Sequence, residues 1–135
     1  MSKTTADDII AALEARYTPD LNWDERQILL TGTDVDEWSV RVGLPHGVLY
    51  DAFALRLALG FNNNELDFGF CDQVLNELHG VISRRDEDRP ELFWSVFLAF
   101  DAGEYYHDGN RSVDPVEAYA RPQIAQIVQR YAPGR

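Results

Sequence analysis

The sequence predicts a mainly α-helical fold, a single domain of five or six helices over residues 1–135. Apolar residues recur at steps of three and four in several stretches, which is the spacing of one helical face. Residues that favour helix starts precede these stretches, as Thr5 and Asp8 do in a capping-box pattern. Two segments, 45–59 and 91–104, are apolar on nearly every side, which is typical of central helices. A chain of this length is expected to form one core.

The first part of the chain predicts two helices. An amphipathic helix covers residues 5–17 and ends before Pro19, because the residue before a proline is disfavoured in a helix. A short helix is expected over residues 24–30. Thr31-Gly32 is expected to stop it.

Residues 34–43 fit either a helix or a strand. Val35, Trp38 and Val42 share one helical face, but every second residue from Trp38 to Val42 is also apolar, as in a strand. We favour the helix because an isolated strand is not stable. The alternative is a small β-hairpin around residues 27–42 on a helical body.

A buried helical hairpin is predicted over residues 45–82. Pro45 suits the first position of its first helix, and Gly60 suits the left-handed position just past the end. Asn64 with Asp67 predicts the cap of the second helix. The rest of the chain is expected to pack around this hairpin.

Two further helices are predicted after the hairpin. Residues 83–89 form a mixed charge run that indicates a solvated loop, and Pro90 then starts a third core helix over 91–104. Asp114-Pro115 predicts the start of the last helix, which Pro122 should kink or divide.

Single polar or small residues inside these helices raise separate expectations. Asp51 and Arg56 lie on an apolar helix and each needs a partner if buried; an arginine is the expected partner of Asp51. His46 suits a surface turn. Gly69 indicates close packing or the approach of a partner's backbone.

Composition excludes several classes of function. The net charge is −11 and Lys3 is the single lysine, which disfavours nucleic acid as a partner because phosphate binding needs clustered cations. The single cysteine, Cys71, excludes an internal disulfide and a zinc site of several thiolates. No apolar run approaches a membrane span, and no secretory leader is visible, so a cytoplasmic protein is expected.

One polar set that could carry chemistry is Asp101, Glu104, His107 and Asp108. If the third core helix continued this far, Glu104 and His107 would have the Glu-x-x-His spacing of carboxylate-bridged metal sites. Such sites need two of these motifs, and the chain has one. An acidic helix end that runs into a polar loop is therefore the favoured interpretation.

A second polar set is Glu65, Asp72, Asn76 and His79, which share a face of the second hairpin helix. Asp72 could orient His79 for proton transfer. A metal site from Glu104, His107, Asp72 and His79 is a weaker alternative. A solvated helix face explains the same spacing and is favoured.

The candidate protein-binding residues are Asp101, Glu104, Tyr105, Tyr106 and Asp108. Clustered tyrosines and charges are typical of interface hot spots. Over these few residues the chain resembles the Tyr-Tyr recognition patch of the small acidic helical immunity proteins that neutralise bacterial nuclease toxins. The resemblance implies a basic protein as the partner.

The sequence therefore favours a small acidic protein-binding module without catalytic activity that neutralises or regulates a basic partner. No nucleophile elbow, P-loop or dinucleotide motif is present, and no cofactor is predicted. Two alternatives stay open. One is a metal-dependent or acid–base enzyme that uses Asp101, Glu104 and His107, or Glu65, Asp72 and His79. The other is a self-associating module, because residues 91–104 carry more apolar surface than one small core covers.

Overall fold

The computed structural model describes residues 5–18 and 27–133, and all regular structure in these ranges is helical. Six α-helices lie in them: α1 (Ala6–Arg16), α2 (Gly32–Val42), α3 (His46–Asn62), α4 (Phe68–Arg84), α5 (Glu91–Asp101) and α6 (Arg121–Tyr131). A 3₁₀ turn, His107–Gly109, and a π-helical turn, Val116–Ala120, lie between α5 and α6. The predicted helical bundle is confirmed. None of these helices has the length and hydropathy that a bilayer crossing requires.

The helix α3 forms the centre of the bundle. The helices α1, α2, α4, α5 and α6 all contact it. Its side chains are buried on several sides, and Tyr50, Phe53 and Leu57 have no exposed surface. A helix that is apolar all round can lose its surface to water only if neighbours surround it. The position of α3 therefore follows from its composition.

The helix α2 confirms the helix favoured for residues 34–43 and shows that the alternative, a β-hairpin around residues 27–42, is wrong. The backbone N–H of Thr31 donates to the Asp34 carboxylate at 2.8 Å, which caps the start of the helix. Val35 is fully buried, whereas Val40 is 82% exposed, as a helical period requires. Thr31-Gly32 therefore begins a helix and does not stop one.

Residues 27–30 are not helical, so the helix predicted over 24–30 is wrong for this part, and residues 24–26 lie outside the described ranges. Leu29 and Leu30 donate their backbone N–H groups to one oxygen of Glu77 at 2.9 and 3.0 Å. A side chain of α4 thus supplies the acceptor that a helical carbonyl would have supplied.

The turn between α3 and α4 differs from the prediction at both of its ends. The helix α3 continues through Gly60, and an added Cβ at this glycine would lie 2.5 Å from Cγ of Leu66. Gly60 is therefore required for close packing and not for a left-handed conformation. Asn64 lies in the turn with φ of 60°, and Asp67 is the N-cap residue of α4.

The two charged residues of α3 have partners within the bundle. A carboxylate oxygen of Asp51 accepts the backbone N–H of Phe93 at 2.8 Å, which caps the start of α5 in place of the expected arginine contact. Burial raises the pKa of Asp51 above its ordinary value. Arg56 lies 3.6 Å from Asp7 and 3.3 Å from Glu65.

Close packing between α1 and α4 explains Gly69. A Cβ at this position would collide with the hydroxyl of Tyr17, whose ring also contacts Phe70 edge-on. Gly69 therefore serves packing within the protein and not the approach of a partner's backbone. At the other end of the chain, Pro122 lies in the first turn of α6, directly after the π-helical turn.

We predict that Gly60→Ala lowers the free energy of unfolding by about 2 kcal/mol, because the added methyl group must displace Leu66 in a packed turn. Urea denaturation measures this change. The matched control is Gly47→Ala, also in α3, where the nearest atom to an added Cβ is Pro90 Cγ at 3.7 Å. This control should be neutral or stabilising, since alanine favours a helix over glycine. Equal stability of the two variants would contradict the packing role of Gly60.

Candidate functional site

The structure joins members of the two polar sets in one carboxyl pair. Asp72 on α4 is 6% exposed and forms a side-chain hydrogen bond with Glu104, which follows the end of α5. Asn76 donates to the Glu104 carboxylate at 3.4 Å and to the Asp72 carbonyl at 2.8 Å. The side chains that the sequence assigned to separate sites therefore meet between α4 and the chain after α5.

Asp72 holds its proton more tightly in this arrangement than an exposed aspartate does. Burial, together with the neighbouring Glu104, raises the pKa of Asp72 to about 9. The charge of Asp101 acts in the same direction, and Asn76 opposes it. The Asp72 carboxyl group can thus donate its proton in a hydrogen bond to the Glu104 carboxylate, which ties the chain after α5 to α4.

The histidines of the predicted sites lie elsewhere. The ring of His79 stacks on Phe97, with 4.5 Å between centroids, and burial lowers the pKa of His79. His107 lies with Nε2 2.8 Å from the carbonyl oxygen of Ala102. Across the described ranges, no group of three His, Cys, Asp or Glu side chains is placed to hold a metal ion.

The segment 102–106, which we name the tyrosine loop, begins where α5 ends. Gly103 is buried, and an added Cβ would lie 2.9 Å from Phe68 Cε2 and 3.0 Å from Ala120 Cβ. This close approach requires a glycine two residues after the end of α5. Tyr105 and Tyr106 follow on the outside and are 52% and 45% exposed.

His107 fixes the far end of the tyrosine loop. Its ring stacks between Tyr119, at a centroid distance of 3.7 Å, and Tyr105, at 4.4 Å. Asp108 and Gly109 then adopt left-handed backbone conformations, with φ of 54° and 71°, which redirect the chain. The loop is therefore held by packing at Gly103 and by ring stacking at His107.

Acidic residues flank the two tyrosines in the sequence. Glu104 and Asp108 are exposed and Asp101 is half-buried. Among the described residues, none of the three takes part in a salt bridge. The predicted protein-binding residues thus lie close together in the chain, from Asp101 at the end of α5 to Asp108 in the 3₁₀ turn.

Sequence reasoning missed a polar network around His46. Its Nδ1 lies 2.7 Å from the Glu87 carboxylate, and its Nε2 lies 3.3 Å from Asp36. Tyr50 donates its hydroxyl to Glu87 at 2.6 Å, and Arg85 binds both oxygens of Asp36 at 2.7 and 2.9 Å. The network joins α2, α3 and the chain after α4, so His46 is a structural residue and not a free turn residue.

The charges of this network shift the ionisation of its members. Arg85 holds the pKa of Asp36 below its ordinary value, and burial with the Glu87 hydrogen bond raises the pKa of Tyr50. One local signal was available in the sequence, namely a tyrosine inside an apolar helix. Its partners lie too far along the chain for sequence spacing to indicate them.

Two surface clefts of about 570 and 510 Å³ lie away from the tyrosine loop. The larger contains Asp7 and Glu65 with Arg56 between them, and the smaller lies between α1 and α2 beside Trp38. Neither brings together the carboxyl pair and an imidazole. No protein-family model, curated protein or solved structure matches this chain.

We predict that Asp72→Asn stabilises the protein more strongly as the pH rises. The folded pKa of Asp72 is raised, so its favourable contribution is complete at acid pH and is lost as the pH approaches about 9. Asparagine cannot ionise and avoids this loss. Urea denaturation should show near-equal stability of variant and parent below pH 3.8, the ordinary pKa of an aspartate, and an advantage for the variant that grows as the pH rises from there to about 9.

The control for this prediction is Asp88→Asn, which makes the same chemical substitution at an exposed loop position. Asp88→Asn should change the free energy of unfolding only slightly at low pH and at alkaline pH. A stability difference between Asp72→Asn and the parent that stays constant from acid to alkaline pH would rule out a buried, proton-holding Asp72.

Proposed function

We propose that this protein is a binding module that recognises a basic protein through the tyrosine loop and the acidic residues beside it, Asp101, Glu104 and Asp108. The observation that supports this most is the exposure of Tyr105 and Tyr106, about half of each side chain, on a loop fixed at both ends. Tyrosine is enriched among the residues that dominate binding energy.

The fixed conformation of the loop favours recognition. Ordering a flexible segment on binding opposes association, and a segment already held in place avoids that loss. Gly103 is packed against Phe68 and Ala120, and His107 is stacked on Tyr119. The tyrosines can therefore meet a partner with little rearrangement of the backbone.

Charge indicates what kind of partner this surface fits. The chain carries a net charge of −11, and the acids at the loop have no salt-bridge partners in the described parts of the chain. A surface of this kind attracts a positively charged protein and speeds the encounter. It also repels a second copy of itself, which makes self-association through this face unfavourable.

The carboxyl pair fits this function as a support for the loop. Proton transfer to a substrate needs an accessible acid, and Asp72 is 6% exposed with its hydrogen bond already directed to Glu104. Glu104 directly precedes Tyr105. The pair therefore positions the backbone from which the tyrosines project.

We predict that the double variant Tyr105→Ala, Tyr106→Ala loses a partner that the parent protein captures. Immobilised parent and variant are incubated with lysate of the source organism at low and moderate salt, and retained proteins are identified by mass spectrometry. Removing two anchors of an interface should reduce affinity by about two orders of magnitude or more. The retained partner should be basic and should bind less tightly as salt increases.

The matched control is Val40→Ala, which removes an exposed apolar side chain from α2, far along the chain from the loop. It should capture the same protein as the parent. The proposal fails if no protein is retained specifically, or if parent, control and double variant retain the same proteins equally.

A further inference from the structure

A group of stacked rings lies between α4 and α5. Trp94 and Phe97 on α5 are nearly parallel, with an interplanar angle of 11° and centroids 5.2 Å apart. His79 on α4 stacks on Phe97 at 4.5 Å and on Trp94 at 5.7 Å. All three side chains are half-buried. We name these three residues the ring stack.

A guanidinium group already lies on the ring stack. The Arg89 Cζ atom is 4.0 Å from the centre of the Trp94 ring. Arg89 is exposed and, among the described residues, forms no salt bridge or hydrogen bond. Arg89 is attracted to the aromatic face of Trp94, and its charge contributes to the lowered pKa of His79. This contact shows that the ring stack accommodates a planar cation.

Carboxylates stand on both sides of the ring stack along α5. Glu91 is three residues before Trp94, and Asp101 is four residues after Phe97, spacings that place side chains on the same helical face. Neither acid forms a salt bridge within the described ranges. Leu98 is 43% exposed on the same helix. The surface thus offers flat rings for stacking and acids for pairing.

We propose that the ring stack binds an arginine side chain of the basic partner and that Arg89 occupies this place in the free protein. This inference rests on the proposed function, since the same partner would contact the tyrosine loop and the ring stack. Both surfaces follow one helix, because Asp101 ends α5 and the loop begins at the next residue. Arginine fits better than lysine because its planar group stacks on rings while its N–H groups pair with carboxylates.

The negative charge of the chain favours a cation of another protein as the occupant of the ring stack. A second copy would bring another net charge of −11 to a surface that already has unpaired acids. An anionic ligand would meet the same repulsion from Glu91 and Asp101. A cationic side chain of another protein is the occupant that complements the rings and the acids together.

The test uses the peptide acetyl-Gly-Arg-Gly-Arg-Gly-amide as the probe, with its lysine analogue as the comparison, at about 0.15 M salt. The Trp94 indole N–H signal, assigned from its loss in Trp94→Leu, is followed by NMR during titration. The arginine peptide should shift this signal saturably and bind at least about threefold more tightly than the lysine peptide. Equal shifts by both peptides, or no shift by either, would overturn the proposal.

Variants separate stacking from general attraction between charges. Arg89→Ala should tighten binding of the arginine peptide by about threefold, because it removes the competing guanidinium. Arg130→Ala removes the same charge from α6 and should tighten it less. Trp94→Leu lacks the indole signal, so its titrations are followed by the backbone amide signals of His79 and Phe97, which stack on Trp94 in the parent protein. This variant should bind the arginine and lysine peptides equally, and Arg89→Ala leaves the rings intact if Trp94→Leu fails to fold. Equal effects of Arg89→Ala and Arg130→Ala would contradict occupation of the site by Arg89.

Capture of the partner by the variants tests the arginine site separately from the proposed function on which it rests. If Tyr105→Ala, Tyr106→Ala loses the partner while Trp94→Leu, shown to be folded, retains it with parental affinity, the binding function stands and the arginine site is wrong. If the arginine peptide binds at Trp94 as expected but no partner depends on the tyrosines, the arginine site stands and the proposed function is wrong.

Discussion

The burial of α3 is the constraint on which the rest of the structure depends. This helix has almost no polar face, and its neighbours must surround it to remove its apolar surface from water. The helix α5 is nearly as apolar and packs on α3, α4 and α6. Asp51 of α3 accepts the backbone N–H of Phe93, so the central helix also fixes where α5 begins. The side of α5 away from α3 is then left to carry Trp94 and Leu98, and its end delivers the tyrosine loop to the surface.

Features that depend on local sequence were predicted well. The helical fold, the capping of α1 by Thr5 and the apolar helices α3 and α5 follow from spacing and cap residues that lie close together in the chain. Errors arose where a distant residue decided the structure. Leu29 and Leu30 donate their backbone N–H groups to Glu77 on α4 and not to a carbonyl of their own segment. Gly60 allows close contact with Leu66 and does not form a left-handed turn. No local pattern carries that information.

The candidate site likewise combines features that the local sequence indicates with features that distant residues determine. Tyr105 and Tyr106 were identified because neighbouring tyrosines and acids are visible in the sequence. The pairing of Asp72 with Glu104 depends on the register of α4 against α5, which the spacing of either segment alone does not specify. The Glu-x-x-His pattern at Glu104 does not form on a helix, because Gly103 packs against Phe68 and α5 ends at Asp101. The Glu-x-x-His spacing would indicate a metal site only if α5 continued as a helix through His107.

Together these features support the proposal of an acidic binding surface at the end of a buried helix, with its tyrosines already held in place in the free protein. The most direct test of this account is ¹⁵N relaxation of the backbone amides of residues 103–106 in the free protein. The account predicts order parameters close to those of the helices, about 0.85, because packing at Gly103 and stacking at His107 restrain the loop. Order parameters below about 0.6 would show that the tyrosines are not preorganised and would contradict it.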